Sequence, residues 1–182
     1  MAIPLYHRIA TKGDVETIRE IMRASIAENM KSDLSPEEIV AAQETMGLDM
    51  SLIEDGTYFI IESDHDNERV AVGCGGWGKR RTLFGGDHTV GRDDSFSDPA
   101  HEPARIRAMY THPNWIRRGV GRYLVEISEA AAREAGFKTI ELGATISGYP
   151  LYCAVGYEAL ERETRIAENG AENVIIKMTK LL

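Results

Sequence analysis

The stretch Ile106 to Leu124 constrains this chain more than any other. It joins an apolar extended segment, a break at His112-Pro113, and a turn, Ile116-Arg117-Arg118-Gly119-Val120-Gly121-Arg122, that opens an amphipathic helix. The first N–H groups of a helix lack intrahelical partners and carry the positive end of its dipole, so an anion placed there is stabilised without side chains. Gly119 and Gly121 remove Cβ atoms from the approach, while Arg117, Arg118 and Arg122 add positive charge. The site suits a diphosphate. An ordinary loop with a solvated arginine pair has the same spacing, so other signals must decide. The Walker pattern G-x-x-x-x-G-K-[ST] is absent.

The elements around this unit follow from periodicity and stop signals. Leu5 to Ala10 reads as a strand, and Thr11 with Asp14 three residues on forms a capping box before a helix whose Val15, Ile18, Met22 and Ile26 share one face. Ser35-Pro36-Glu37-Glu38 starts a second helix expected to reach about Gly47. Thr57 to Glu62 and Arg69 to Trp77 read as a hairpin across a polar turn over 63–68. Gly73, Gly75, Gly76 and Gly78 in its second strand predict a bulge or a close approach. Ala104 to Thr111 is the next strand, and the stripe Leu124, Ile127, Ala131 and Ala135 marks a helix closed by Gly136. Thr139 to Ala144, a short helix at Pro150 to Val155, and a strand pair at Tyr157 to Glu163 and Val174 to Lys180 complete the chain.

A chain of 182 residues, 43% apolar and 27% charged, can bury a real core, and nothing in it marks a repeat or linker; one α/β or α+β domain over 1–182 is expected. The net charge of −8 argues against nucleic acid as a partner and suits a cationic one. No run approaches the ~18 apolar residues of a membrane span, and Met1 to Arg8 has neither a basic segment nor an apolar signal core, so no membrane association and a cytoplasmic location are expected. Cys74 and Cys153 stand far apart without a C-x-x-C or histidine pattern, which points away from a disulfide framework or a metal; both read as small buried residues.

Ile116-Arg117-Arg118-Gly119-Val120-Gly121, following Met109-Tyr110-Thr111-His112-Pro113, resembles the [QR]-x-x-G-x-[GA] signature of the general N-acetyltransferase superfamily (GNAT). Pro150-Leu151-Tyr152-Cys153-Ala154-Val155-Gly156-Tyr157 is similar to that family's downstream P-x-Y-x-x-x-G-[FY]. Ile116 departs from the usual Gln or Arg, at a contact made largely through backbone N–H. The resemblance implies an α/β (α+β) fold with a mixed, mostly antiparallel central sheet of about six or seven strands flanked by helices. It implies acetyl-CoA as co-substrate, without a metal, and a primary amine of a small molecule or peptide as acceptor. Met109, Tyr110 and Thr111 would meet the pantetheine arm as a neighbouring strand, Ile116 to Arg122 would hold the pyrophosphate, and Ser147 would touch the pantetheine or a bound water. Tyr152 would be the general acid.

Some relatives carry a glutamate base where this chain has Arg105; Glu102, His101, water or a backbone carbonyl are alternatives, and none is assigned. Trp77 is a candidate wall of the acceptor site, although tryptophan in a strand more often packs in a core. The polar connection Phe84 to Pro103 is expected to be either a mobile cover whose Asp87, Asp93, Asp94, Asp98 and Glu102 attract an amine or a solvated insertion. A CoA-binding module of the same fold that has lost catalysis is the alternative to an enzyme, and a homodimer is a further expectation from the family.

Overall fold

The computed structural model describes residues 3–182, so the first two residues of the stretch Met1 to Arg8 lie outside the described residues. Seven strands, β1 (Leu5–Ile9), β2 (Tyr58–His65), β3 (Glu68–Gly78), β4 (Ala104–Thr111), β5 (Thr139–Ala144), β6 (Glu158–Ile166) and β7 (Glu172–Leu181), form one sheet in the order β1-β2-β3-β4-β5-β7-β6. All neighbours are antiparallel except β4 and β5. That parallel pair needs a crossover, supplied by the helix α4 (Val120–Glu134). Helices α1 (Val15–Asn29), α2 (Pro36–Ala42) and α3 (Met50–Glu54) lie between β1 and β2 in the chain, and α5 (Tyr149–Ala154) follows β5. Among the described residues no helix is long and apolar enough to cross a membrane.

Alternation along β2 shows how the sheet divides its core. Tyr58 and Ile60 pack with Ile18, Ile21 and Leu52 beneath α1 and α3, whereas Phe59 and Ile61 pack with Leu124 and Val125 of α4. Each such side chain contributes roughly 1.5–3 kcal/mol on burial. In β4 this alternation is broken. Ile106 belongs to the α4 core and Tyr110 to the α1 core, although residues four apart on an unbroken strand share a face. Register explains the switch: Arg107 opposes Gly76 and Tyr110 opposes Cys74, so Ala108 and Met109 together face Gly75 in a bulge. Ala108 sits at φ +51°, a left-handed conformation, and its carbonyl accepts the Tyr58 hydroxyl at 2.8 Å. The glycines of β3 permit the close approach expected of them, since a Cβ on Gly76 would lie 2.1 Å from the Thr57 carbonyl oxygen.

Three local expectations are corrected. Helix α2 ends at Ala42, short of Gly47: Gln43, Glu44 and Thr45 bond back to Val40, Ala41 and Ala42 in tighter i to i+3 turns, and the Asn173 side chain takes the Ala41 carbonyl at 3.2 Å. The hairpin turn is two residues, not six, with Asp66 and Asn67 both left-handed at φ +49° and +66°, as a tight turn between twisted strands requires. Cys74 is buried as expected, but Cys153 is exposed on the outer side of α5.

The connection between β3 and β4 is largely exposed but tied by hydrogen bonds within itself and to its neighbours. Arg81 donates its N–H to Ser95 at 2.8 Å, Ser97 donates to Lys79 at 2.9 Å, and the Arg81 guanidinium grips Glu102 through both oxygens at 2.6 and 2.8 Å. Its acids are engaged: Asp87 caps Met50 of α3, Asp93 holds Ser95, Asp94 pairs with Arg92 and Thr82, and Asp98 with His101.

Candidate active site

Strands β4 and β5 pair only at Ala104 with Ile140 and Arg105 with Glu141. Beyond that point β4 continues against β3 and β5 against β7, so the two diverge and the β5-facing edge of β4 stands open. The His112 N–H donates to Val72 at 2.9 Å, which makes the Thr111 to Gly73 pair the non-hydrogen-bonded kind and turns Thr111's own backbone groups toward the open edge. The Asn29 side chain, braced on Ser25 at 3.1 Å, donates to the Thr111 carbonyl at 2.8 Å. That carbonyl, one of the groups expected to meet a ligand, is therefore already engaged.

The anion turn closes one end of this opening. Pro113–Trp115 form a tight helical turn started by His112, whose ring Nδ1 accepts the Asn114 N–H at 3.2 Å. Trp115 is buried beneath it, and the Arg118 guanidinium lies 5.0 Å from the indole centroid. Arg117 and Gly119 are left-handed at φ +61° and +87°. Gly119 caps α4 without a side chain, so the N–H groups of Val120, Gly121 and Arg122 lack a protein cap. A Cβ on Gly119 would meet open space, so its conformation is what demands glycine, whereas a Cβ on Gly121 would lie 2.8 Å from Leu151 Cδ2, which borders the same cleft.

A cleft of about 540 Å³ runs from this turn along β4; Ile116, Arg117, Gly119 to Arg122, Met109 to Thr111 and Ser147 all border it. The Ser147 hydroxyl is buried there with no hydrogen-bond partner among the described residues, which marks a position where a ligand group would satisfy it. Tyr110 also borders the cleft, but its hydroxyl is a strut, accepting the Gly47 N–H at 3.2 Å.

Met109, Tyr110, Thr145 and Gly148 also border a second, smaller cavity of about 120 Å³, where Tyr152 projects from α5. Gly148 makes room for that ring, since a Cβ there would stand 3.2 Å from Tyr152 Cε2. The Tyr152 ring meets Tyr157 edge-on at 5.9 Å, and burial pushes its phenol well above the ordinary value near 10. Phe84, Ile175 and Arg107 border the same cavity.

No candidate base is poised in this cavity among the described residues. The Arg81 guanidinium holds the Glu102 carboxyl down at about 2, which leaves it a poor proton acceptor, and His101 is bound to Asp98 at 2.8 Å on the outside of the loop. Arg105 is buried against Glu141 at 3.6 Å and bonded to the Pro103 carbonyl. The Trp77 expectation is corrected. Strand alternation turns its indole into the α4 core, edge-on to Phe137 at 5.9 Å, and it borders neither cavity.

Sequence reasoning missed Arg107, Asp49, Arg92 and Asn29. The alternation Arg105-Ile106-Arg107 in a central strand was a signal for Arg107; the others reach the site only through contacts distant in sequence.

The acetyltransferase (GNAT) family model matches residues 24–152. A search of curated proteins found no match. Among solved structures, a GCN5-related N-acetyltransferase from Rhodopseudomonas palustris superposes with a TM-score of 0.69 at 21% identity, covering 100% of this chain and 99% of its own. The yncA protein of Salmonella typhimurium, described with its cofactor acetyl-CoA, gives 0.64 at 17% identity over 98% of this chain and 94% of its own. The paia N-acetyltransferase of Thermoplasma acidophilum, described in complex with coenzyme A, gives 0.59 at 14% over 99% and 100%.

Proposed function

The chain belongs to the GNAT acetyltransferase family, and from that premise we propose that it transfers an acetyl group from acetyl-CoA to a primary amine, with Tyr152 as the proton donor. The observation that carries this reading is the connected opening itself: an unpaired strand edge, uncapped helix N–H groups at one end and a buried phenol at the other. Solved neighbours described with coenzyme A and acetyl-CoA support it.

Acetyl-CoA supplies an acyl group activated as a thioester. The residues present fit such a molecule. The N–H groups of Val120, Gly121 and Arg122 suit a pyrophosphate, with Arg117 and Arg122 adding charge at the rim of the cleft. The open edge from Met109 to Thr111 receives an extended arm by main-chain pairing, and the unpartnered Ser147 hydroxyl gains a partner. Tyr152 keeps its proton at neutral pH, gives it to the sulfur as the C–S bond breaks, and recovers one as the amine nitrogen becomes an amide nitrogen. With no side-chain base in the cavity, the amine must arrive neutral or lose its proton to water.

The test is a panel of primary amines incubated with acetyl-CoA, with thiol release measured and the acetylated product detected by mass. Release matched by product supports the proposal. Binding of acetyl-CoA with no product from any amine would turn the assignment to a CoA-binding module without catalysis.

A further inference from the structure

Arg107 stands out among the groups around the small cavity because it is charged, buried and only partly engaged. Its side chain is 3% exposed. Nη2 donates to Asp49 Oδ2 at 2.9 Å and to the Gly85 carbonyl at 2.6 Å, and Nη1 donates to the Thr82 carbonyl at 3.3 Å. A guanidinium has five N–H donors, so two remain.

The carboxylate that pairs with this charge is also shared. Asp49, itself buried, shares the same Oδ2 with Arg92 at 3.1 Å. Arg92 keeps Nε and Nη1 buried without partners among the described residues, and its second carboxylate, Asp94, is half exposed. Two buried guanidiniums thus lean on one buried carboxylate. A bridge needed only to tie α3 to β4 would use one arginine, and burying the second charge works against stability.

Arg107 is the one charged side chain that borders the cavity among the described residues, and it keeps two N–H groups unpaired. No carboxylate borders this cavity among the described residues, so nothing there favours a second cation, while an anion is favoured. The space is small. At about 10–15 Å³ per water, 120 Å³ holds a molecule of roughly eight to twelve heavy atoms.

Resting on the transferase reading above, we infer that the acceptor is a free amino acid or close analogue, whose amine faces Tyr152 and whose carboxylate is bound by Arg107, which borders the same cavity. One of the free N–H groups of Arg107, on Nε or Nη1, can donate to that carboxylate as a charge-assisted hydrogen bond.

The first test needs no mutation. α-Amino acids are compared with the amines left when their carboxylate is removed and with their carboxamides, side chain for side chain, for acetyl transfer. The acids should show kcat/KM higher by about ten- to a hundredfold, the range of a hydrogen bond to a charged group. Amines or amides acetylated as well as the acids overturn this inference and leave the transferase reading standing. No transfer to any of the three sets, although acetyl-CoA binds, overturns both. The second test is the variant Arg107→Gln, in which Asp49 keeps Arg92 as its partner at 3.1 Å. It should raise the KM for the acids and erase their advantage over the amines while acetyl-CoA still raises the melting temperature. Retention of the advantage by the folded variant removes Arg107 from the role, and if the variant does not fold the wild-type comparison decides.

Discussion

Tyr152 shows what a single residue gains from its surroundings. The sequence marked it by its place in a motif; the structure adds a buried phenol that makes no hydrogen bond to another described residue and faces a cavity. Tyr152→Phe should lower kcat by ~10²- to 10⁴-fold, the usual worth of positioned acid catalysis, with acetyl-CoA affinity nearly unchanged because the ring remains. Burial raises this pKa, so the acid form persists to higher pH than for a free phenol and is lost only above the ordinary value near 10. The profile of kcat/KM should therefore rise as the acceptor amine loses its proton and stay level to about pH 10; a falling limb below that which persists in Tyr152→Phe would assign the acid to another group. Single residues were legible where a motif or a conformation fixed them, as with Tyr152 and Gly119. They were illegible where orientation decided. Nothing local tells that Trp77 turns to the core, that Gly121 faces Leu151, or that Arg107 finds Asp49 across 58 residues.

At the scale of elements, boundaries set by local chemistry were readable. The Thr11 box forms as expected, its N–H donating to Asp14 at 2.8 Å, and Arg8 of β1 adds two contacts to the same carboxylate at 2.7 and 2.9 Å. The Arg8 guanidinium holds the Asp14 carboxyl far below its usual range, so this stabilisation is present above the unfolded value near 4 and is lost as pH falls toward the folded one. Asp14→Asn should cost about 1–2 kcal/mol at pH 7 by denaturant unfolding, and the gap from wild type should close progressively below pH ~4. Helix α4 offers a second test. Gly119→Ala forces a left-handed alanine, costing about 1–2 kcal/mol, and should shrink the melting-temperature rise given by acetyl-CoA. Gly121→Ala should keep that rise, because its methyl meets only the movable end of Leu151. Equal ligand shifts in the two variants would mean that Gly119 does not shape the anion site. Helix α3 escaped the sequence reading because it is only five residues long, and α2 was overdrawn because a distant Asn173 helps end it.

For the whole molecule, the strand count and the mixed sheet were accessible through the motifs, while the linkage between the β3–β4 connection and the buried charges was not, since it exists only after folding. That linkage changes what the connection is for. Replacing 86–97 with a short flexible linker removes Arg92 and the bonds that hold the loop, so the variant should melt below wild type even without ligand; a variant of unchanged melting temperature would show the connection to be a detachable cover. The narrow contact between β4 and β5 has a consequence for the order in which the protein is made. Strands β1 to β4 end by Thr111, and β5, the next partner of β4, ends at Ala144, 33 residues later. At ~5–20 residues per second a ribosome leaves roughly 2–7 s between them. Through that interval the first four strands can be complete while β4 waits as an unprotected border, the kind of edge that recruits other chains. Arg105 and Arg107, on that very strand, are charges that discourage a stranger from pairing there before β5 emerges from the ribosome.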